Sequence, residues 1–355
     1  MDRLRNFFAV KIYVPNSLKS RYAHSLCSAA LTVALLTWAL HDVSPQLVWN
    51  GVKSARFEWL ALSVLAFLAS FAVRALRWGT LLRAYPDAGF KIRHSATFIG
   101  FAGNCIFPAR VGELVRATVL HRYTKVPFAT ALGSIIAERA LDVLVLFAFL
   151  LVSFPRTTQS TQADPFGLQV SWIGTLVITV CGALVVIARR PNWITQAVEQ
   201  FGRSIRFQSF KPRLINLVNL LLNGIVVFRS PKQAARAVVE GLIMWALIAS
   251  AYWFAMFSFG ITSPGMTGAV FVLSIVALGI ALPSSPGHFG PFEAAIRIAL
   301  GVYAVPTEII AAFALTLHFL MYASVTTIGI TLAMRLGLSW SEITQSLSKK
   351  DEKKR

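Results

Sequence analysis

Charged residues are scarce in this sequence. They make up only 14% of its 355 residues, whereas hydrophobic residues make up 56%. Soluble domains contain about 25% charged and about 45–50% apolar residues. Because so little charge cannot cover the surface of a soluble protein of this length, the composition excludes a soluble enzyme or binding domain and predicts an integral membrane protein.

Cysteine is scarce too, and several catalytic motifs are missing. The three cysteines have neither metal-ligand spacing nor the pattern of a disulfide framework. The sequence contains no Gly-rich loop of the GxxxxGKS/T kind, so ATP does not drive the protein directly. A nucleophile motif, a metal-ligand cluster and a domain for an activated donor are missing as well. We therefore predict no catalytic residue, no metal and no cofactor.

Acidic residues are outnumbered by basic ones, 15 to 34, which gives a net charge of +19. In a soluble protein this excess would suggest a nucleic-acid partner, but in a membrane protein lysine and arginine mark the cytoplasmic loops. Here they collect in the N-terminal segment, around Arg77 and Lys125, in the loop 189–237 and in the C-terminal tail. This bias predicts that both termini lie in the cytoplasm and that no nucleic acid is bound.

Long apolar segments account for most of the chain. A transmembrane helix needs about 20 apolar residues, and six segments reach or approach that length. These predicted spans are 24–40, 57–78, 128–154, 168–188, 238–259 and 309–334. Tryptophans near the ends of spans are typical of the membrane–water interface. Trp78 and Trp193 are expected at the inner interface, whereas Trp245 fits neither interface.

Two other apolar regions, 95–121 and 267–303, are interrupted by prolines. Each apolar half is too short to cross about 30 Å of hydrocarbon. We predict that each region enters the membrane, turns near Pro108 or Pro286, and leaves on the side it came from. The first enters from the cytoplasm and the second from outside. The predicted fold is an all-α polytopic membrane protein with about six transmembrane helices and two re-entrant helical hairpins.

Both predicted hairpins carry Pro, Gly, Glu and Arg in the same order. These residues are Pro108, Gly112, Glu113 and Arg116 in the first hairpin, and Pro286, Gly290, Glu293 and Arg297 in the second. Glutamate and arginine, three or four residues apart, share one helix face. Because the hairpins enter from opposite sides, we predict an inverted-topology repeat, with repeat one at about 57–154 and repeat two at about 238–334. The alternative is chance similarity of short strings.

The predicted membrane domain covers 24–335, between a basic N-terminal segment 1–23 and a basic tail 336–355. Its loop 189–237 carries nine lysines and arginines against one acidic residue, and its apolar residues recur at near-helical spacing. This pattern predicts one or two amphipathic helices on the cytoplasmic face of the membrane. A helical hairpin packed on the bundle is the alternative.

Ionisable residues inside apolar segments are costly, so they usually face a cavity or one another. Broken helices add exposed N–H groups at their N-termini, which bind anions such as phosphate. We therefore predict a polar cavity for an anionic head group at the hairpin tips. Its candidate residues are Asn104, Arg110, Glu113, Arg116, Glu138, Arg139, Asp142, Ser284, Ser285, His288, Glu293 and Arg297. Ion pairs that only hold the helices together are the alternative.

Several strings resemble the flippase-like transmembrane domain of lysylphosphatidylglycerol synthases and its stand-alone members. They are RALRW at 74–78, GNCIFPARVGELVR at 103–116, ERALD at 138–142 and PGHFGPFE at 286–293. In two-domain members this region is linked to translocation of an aminoacylated phospholipid. The resemblance implies a bacterial inner-membrane protein and a homodimer. It also implies a functional role for Asn104, Arg110, Glu113, Arg116, Glu138, Asp142, Glu293 and Arg297. Because no soluble aminoacyl-transferase domain is recognisable, the lipid stays open.

Three functions are compatible with these patterns. The first is transport of an anionic or modified phospholipid or glycolipid between leaflets, with the membrane lipid as partner. The second is a membrane-embedded head-group or glycosyl transferase, with Glu113, Glu293 or His288 as general base. The third is a non-transporting partner of a lipid-modifying enzyme.

Overall fold

The computed structural model describes residues 30–107, 111–154, 211–280 and 286–338, together with isolated positions between 179 and 196. Within these residues the chain is helical and contains no strand. The predicted span 168–188 lies almost wholly outside the described residues. Three candidate site residues also lie outside them, namely Arg110, Ser284 and Ser285.

The described helices are numbered here in chain order. They are α1 (Ala30–Leu40), α2 (Pro45–Ser54), α3 (Phe57–Leu81), α4 (Phe90–Ile106), α5 (Gly112–Tyr123), α6 (Phe128–Ser153), α7 (Lys211–Gly224), α8 (Pro231–Ser258), α9 (Gly265–Gly279), α10 (Pro291–Gly301) and α11 (Thr307–Arg335). Two short 3₁₀ turns, Val226–Arg229 and Pro286–His288, precede α8 and α10.

Four of the predicted spans correspond to long helices. Helices α3, α8 and α11 have 25, 28 and 29 residues and are long and apolar enough to cross a membrane. Helix α6 has 26 residues but carries charged residues near its middle. Helix α8 begins at Pro231, so the predicted start at 238 is wrong. Proline is favoured in the first helical turn, where its missing N–H needs no partner.

Helix α2 is not predicted by the sequence pattern. It has only ten residues, which is far below the length of a span, and it lies in the predicted loop between the first two spans. Pro45 in its first turn favours the helix start. The helix packs on α11, where a Cβ on Gly51 would lie 3.0 Å from the Cβ of Ala312. Tertiary packing therefore supports a helix that its own length does not.

Two pairs of short helices form helical hairpins. Helices α4 and α5 have 17 and 12 residues, and α9 and α10 have 15 and 11. At 1.5 Å per residue they are about 16–26 Å long, less than the hydrocarbon core of about 30 Å. In the first pair a Cβ on Gly103 would lie 3.1 Å from the Cα of Gly112. In the second pair a Cβ on Gly279 would lie 2.8 Å from the Cβ of Ala295.

The helices of the two halves pack in corresponding ways. Helices α3 and α8 run antiparallel: the amide of Arg56 donates to the carbonyl of Ser258 at 3.0 Å, and Arg77 lies against Gly241 near the other end. Helix α4 packs on α11 as α9 packs on α6, and α5 packs on α6 as α10 packs on α11. Exchanging α3, α4, α5 and α6 for α8, α9, α10 and α11 therefore maps each of these contacts onto another.

Helix α7 packs along the first half of α6. The hydroxyl of Thr130 donates to the carbonyl of Leu220 at 3.0 Å. Gly133 of α6 lies so close to the backbone of Leu221 that a side chain would not fit there. The described end of the loop 189–237 therefore lies against the helical bundle.

Candidate functional site

Charged side chains from three helices meet on one side of α6. We call this group the ion cluster. Its members are Arg74, Arg77, Glu113, Arg116, Glu138, Arg139 and Asp142. Helix α3 contributes the first two arginines, and α5 contributes Glu113 and Arg116. The remaining three members lie on α6 within two helical turns.

Glu138 lies at the centre of the ion cluster. It is 0% exposed, and its carboxylate accepts its shortest hydrogen bonds from two guanidinium groups. Arg116 binds both oxygens, with Nη1–Oε1 and Nη2–Oε2 distances of 3.1 and 2.8 Å. Arg74 donates from Nη1 to Oε1 at 2.9 Å. This one carboxylate therefore joins α3, α5 and α6.

Asp142 is the second buried carboxylate, one helical turn after Glu138. Its Oδ1 accepts hydrogen bonds from Arg77 Nη1 at 2.5 Å and from Trp245 Nε1 at 3.0 Å. Trp245 lies on α8, so the second bond links α6 to the other half of the chain. A buried ion needs such partners, because desolvation without them costs about several kcal/mol.

Arg77 and Trp78 are buried within the helical bundle, and the position of Trp78 at the inner interface stays a prediction. Each is 0% exposed, because α6 and α8 cover this end of α3. Trp78 donates from Nε1 to Ser134 Oγ at 2.9 Å, and Cζ of Arg116 lies 3.9 Å from its ring, a cation–π contact. Arg74, Arg77 and Trp78 are spaced to share one helix face. That spacing is the sequence signal that could have indicated a common set of neighbours for the three side chains.

Glu113 and Arg139 form the accessible edge of the ion cluster. Their side chains are 31% and 35% exposed. Arg139 lies 3.6 Å from Glu113, 3.4 Å from Glu138 and 3.5 Å from Asp142. Charge-assisted hydrogen bonds are usually about 2.7–2.9 Å long. Arg139 is therefore held less tightly than the buried arginines of the cluster, and part of its side chain is exposed.

The ion cluster carries more positive than negative charge. With every group ionised, its four arginines face three carboxylates, a formal net charge of +1. Charge–charge attraction is stronger in a low-dielectric interior than in water. The arrangement therefore favours an anionic group at the accessible edge.

Asn104 closes the first hairpin. Its Oδ1 accepts a hydrogen bond from the backbone N–H of Gly112, the first residue of α5, at 2.8 Å. This bond ties the end of α4 to the start of α5 and satisfies one of the N–H groups that a helix start leaves free. The approach is close, because a side chain on Gly112 would meet the carbonyl oxygen of Gly100.

Glu293 and His318 hold the tip of the second hairpin. The Oε2 atom of Glu293 accepts a hydrogen bond from the N–H of Gly290 at 2.7 Å, and its Oε1 lies 2.6 Å from Nδ1 of His318 on α11. His318 Nε2 lies 2.8 Å from the carbonyl oxygen of Gly287. The two glycines have φ values of +75° and +91°, which glycine adopts without strain. Glu293 and His318 are 2% and 6% exposed.

Arg297 belongs to a third group of residues, beside the loop that follows α1. Both of its terminal nitrogens donate to Asp42 at 2.7 Å, and one also donates to the carbonyl of Ala39 at 2.7 Å. This guanidinium lowers the pKa of Asp42 to about 2. His288 is half-buried in the second turn. Within the described residues, neither hairpin pairs its own glutamate with its own arginine.

Known proteins are similar in sequence to this chain over most of its length. The family described as the lysylphosphatidylglycerol synthase TM region matches residues 25–329. This chain belongs to that family. The resemblance inferred from the short strings is thereby confirmed, and the protein is a membrane protein whose helices are apolar enough to span a bilayer.

Two known relatives each match most of this chain. Glycosyltransferase AglD of Haloferax volcanii is 24% identical over 328 residues, which are 84% of this chain and 52% of that protein. A UPF0104 membrane protein of Methanothermobacter thermautotrophicus is 22% identical over 327 residues, 88% of this chain and 92% of that protein. The chain therefore spans about half the length of the glycosyltransferase and nearly all of the UPF0104 protein.

Four partners of the predicted site residues were missed, namely Asp42, Arg77, Trp245 and His318. Trp245 offered a signal, because it fitted neither membrane interface. His318 offered another: it lies 25 residues after Glu293, the same separation as between Glu113 and Glu138 in the first half. A repeated spacing between ionisable residues in two similar segments indicates equivalent positions.

Proposed function

We propose that this protein moves an anionic or modified phospholipid or glycolipid between the two leaflets of a membrane. The observation that carries the proposal is the ion cluster, whose arginines outnumber its carboxylates and whose Arg139 is 35% exposed. Ionisable groups at membrane depth generally face one another or a polar pathway. A net positive centre with an accessible edge suits the phosphate of a head group, while the acyl chains stay in the lipid.

The head-group phosphate would bind Arg139. Its contacts to three carboxylates are long, so one of them can be exchanged for a ligand oxygen. Glu113 is the carboxylate to exchange, since it is the exposed one. Backbone N–H groups at the start of α5 add positive potential. The fully buried arginines would keep their carboxylates and hold the site in shape.

We propose an N-in, C-in topology with six transmembrane helices and two re-entrant hairpins related as an inverted repeat. Two observations support it: the hairpin helices are shorter than the bilayer, and the helix contacts correspond between the halves. The turn Pro286–His288 packs on α4, and Tyr322 donates to the carbonyl of Cys105 at 3.4 Å. Rocking of one half against the other would then alternate access to the ion cluster. The family resemblance favours a bacterial inner membrane and a homodimer.

A transport assay on the purified protein tests this proposal. The protein is placed in liposomes with fluorescent lipids of anionic, aminoacylated and zwitterionic head groups, and the movement of each between leaflets is measured. We expect Arg139→Gln to slow the preferred lipid by about tenfold, equivalent to ~1.4 kcal/mol of barrier. Arg236→Gln is the matched control, because Arg236 is 68% exposed and pairs with Glu240 outside the cluster. The proposal fails if no lipid moves, or if both variants match the wild type.

One relative favours a second function. The glycosyltransferase of Haloferax volcanii matches this chain over 52% of its own length. The alternative is that this chain transfers a lipid head group or sugar within the membrane, or assists an enzyme that does so without transporting lipid. Mass spectrometry of lipids incubated with the purified protein distinguishes these possibilities. A covalent product that disappears in Glu113→Gln supports transfer, whereas unmodified lipid that changes leaflet supports transport.

A further inference from the structure

The imidazole ring of His318 lies between two hydrogen-bond acceptors. Its Nε2 is 2.8 Å from the carbonyl oxygen of Gly287, and its Nδ1 is 2.6 Å from Oε1 of Glu293. A carbonyl oxygen can only accept, so Nε2 must carry a proton. A neutral imidazole has a single N–H, which would leave a bare lone pair on Nδ1 facing the carboxylate.

The short contact therefore needs a second proton between Nδ1 and Oε1. That proton lies either on the ring, which gives an imidazolium beside a carboxylate, or on Glu293, which gives a neutral acid beside a neutral ring. In both arrangements the pair holds one proton more than a neutral histidine and an ionised glutamate. Turning the ring over would place carbon atoms at both contacts and lose both hydrogen bonds, so the contacts fix the ring orientation.

Aromatic rings and apolar helices surround much of the pair. The rings of Phe289 and Phe292 pack against His318 at centroid distances of 4.5 and 4.3 Å. Helices α1 and α9, which lie beside the tip, contain no ionisable side chain. Among the residues that the structure describes, the ionisable groups near the tip on the other elements are Tyr322 of α11, Cys105 of α4, His288 of the turn and Arg297 of α10. Of these, Arg297 is already neutralised by its pair with Asp42.

We propose that Glu293 and His318 form a proton-binding site and that this proton is the coupling ion for lipid movement. The second part rests on the transport function proposed above. The proton would arrive from water on one side of the membrane and leave to water on the other when the halves rock. Once it has left, His318 has one N–H for two acceptors and must release either Glu293 or Gly287. Deprotonation therefore loosens the hairpin tip, and protonation closes it.

The repeated spacing supports different roles for the two halves. The position 25 residues after the hairpin glutamate is Glu138 in the first half and His318 in the second. Glu138 is bound by arginines, whose protons do not leave within a protein. Histidine, unlike arginine, is a side chain that readily gains and loses a proton near neutral pH. Fixed charge thus occupies one position, and a removable proton occupies its counterpart.

Spectroscopy on the full-length protein in nanodiscs tests the proton site without any transport. The ¹⁵N-histidine NMR signal of His318 is identified by its loss in His318→Gln. At neutral pH we expect either a doubly protonated ring or a neutral ring beside a protonated acid. The second form shows an infrared carboxylic-acid band that Glu293→Gln removes. A neutral ring with no such band in the wild-type protein overturns the proton site.

Transport under a pH gradient tests the coupling. We expect the gradient to speed lipid movement several-fold in the wild type, and we expect the ratio of the rates with and without the gradient to fall to about one in Glu293→Gln and His318→Gln. His41→Gln is the control, since His41 is exposed and bonded to the carbonyl of Trp38, and it should keep the response. Coupling is overturned if the two site variants respond like the wild type. It is also overturned if the wild type moves lipid without regard to the gradient, which leaves the proposed transport intact. A wild type that moves no lipid refutes both transport and coupling, and the spectroscopy then decides the proton site alone.

Discussion

Replacing Glu138 with glutamine should destabilise the protein by about 3–5 kcal/mol, which is typical when one partner of a buried ion pair is removed. The substitution keeps the shape of the side chain and removes its charge. Glu138 is 0% exposed, so water cannot replace the lost partner. Arg74 and Arg116 would keep their charges in the interior with a neutral amide between them.

The magnitude follows from the contacts. The carboxylate accepts guanidinium hydrogen bonds at 2.8, 2.9 and 3.1 Å. Hydrogen bonds to charged groups contribute about 1.5–3 kcal/mol each. Glutamine keeps one oxygen, but its amide nitrogen would face a guanidinium that also donates. At least one of the three bonds is lost, and the others become bonds to a neutral group.

Equilibrium unfolding of the purified protein in mild detergent measures this loss. Glu240→Gln is the matched control, because Glu240 pairs with a largely exposed arginine and such pairs contribute only about 0–1 kcal/mol. Combining Arg116→Met with Glu138→Gln should recover part of the stability, since one unpaired charge is removed with its partner. A loss of unfolding free energy below about 1 kcal/mol for Glu138→Gln would refute the reasoning. So would a double variant whose loss exceeds the sum of the losses of the two single variants.

Three further substitutions test other contacts by the same unfolding assay. Gly112→Ala places a Cβ against a backbone carbonyl of α4 and should cost about 1–3 kcal/mol; unchanged stability would contradict the close approach of the hairpin helices. Trp245→Phe removes the hydrogen bond to Asp142 and should cost about 1.5–3 kcal/mol, and a neutral result would mean that this bond is not formed. The pKa of Asp42 is lowered from 3.8 to about 2 by Arg297, so their pair stabilises the protein above about pH 4 and the benefit is lost as the pH falls toward 2. Asp42→Asn should remove that part of the acid dependence, and an unchanged pH profile would argue against the pair.

The long helices were predictable because helix formation depends on contacts three and four residues apart. Helices α3 and α6 begin at residues 57 and 128, where the apolar segments begin. The start of α8 was missed because its first turns are polar and read as loop. Helix α2 was missed because ten residues are too few for the pattern used to recognise spans. In both cases packing on neighbouring helices decides what local sequence leaves open.

The candidate site was predictable only in part. Arg139 and Asp142 come together because residues three apart lie on one face of a helix, and Glu138 is the chain neighbour of Arg139. Their partners on other helices could not be assigned, since Arg77 and Trp245 are 65 and 103 residues from Asp142 in sequence. A single sequence gives the helices but does not state which of them are neighbours. Arg110, Ser284 and Ser285 stay predictions.

Two explanations of the intramembrane charges, helix packing and head-group binding, apply to different arginines. Arg74, Arg77 and Arg116 are nearly fully buried and directed at internal carboxylates, so they hold α3, α5 and α6 together. Ion pairs of this kind give little net stability over well-packed apolar side chains, and packing alone would be served by equal numbers of each charge. Helix packing therefore does not explain why the ion cluster has one more arginine than carboxylates. Because Arg139 is the exposed and loosely held arginine, we infer that this excess serves a ligand that reaches the ion cluster from outside.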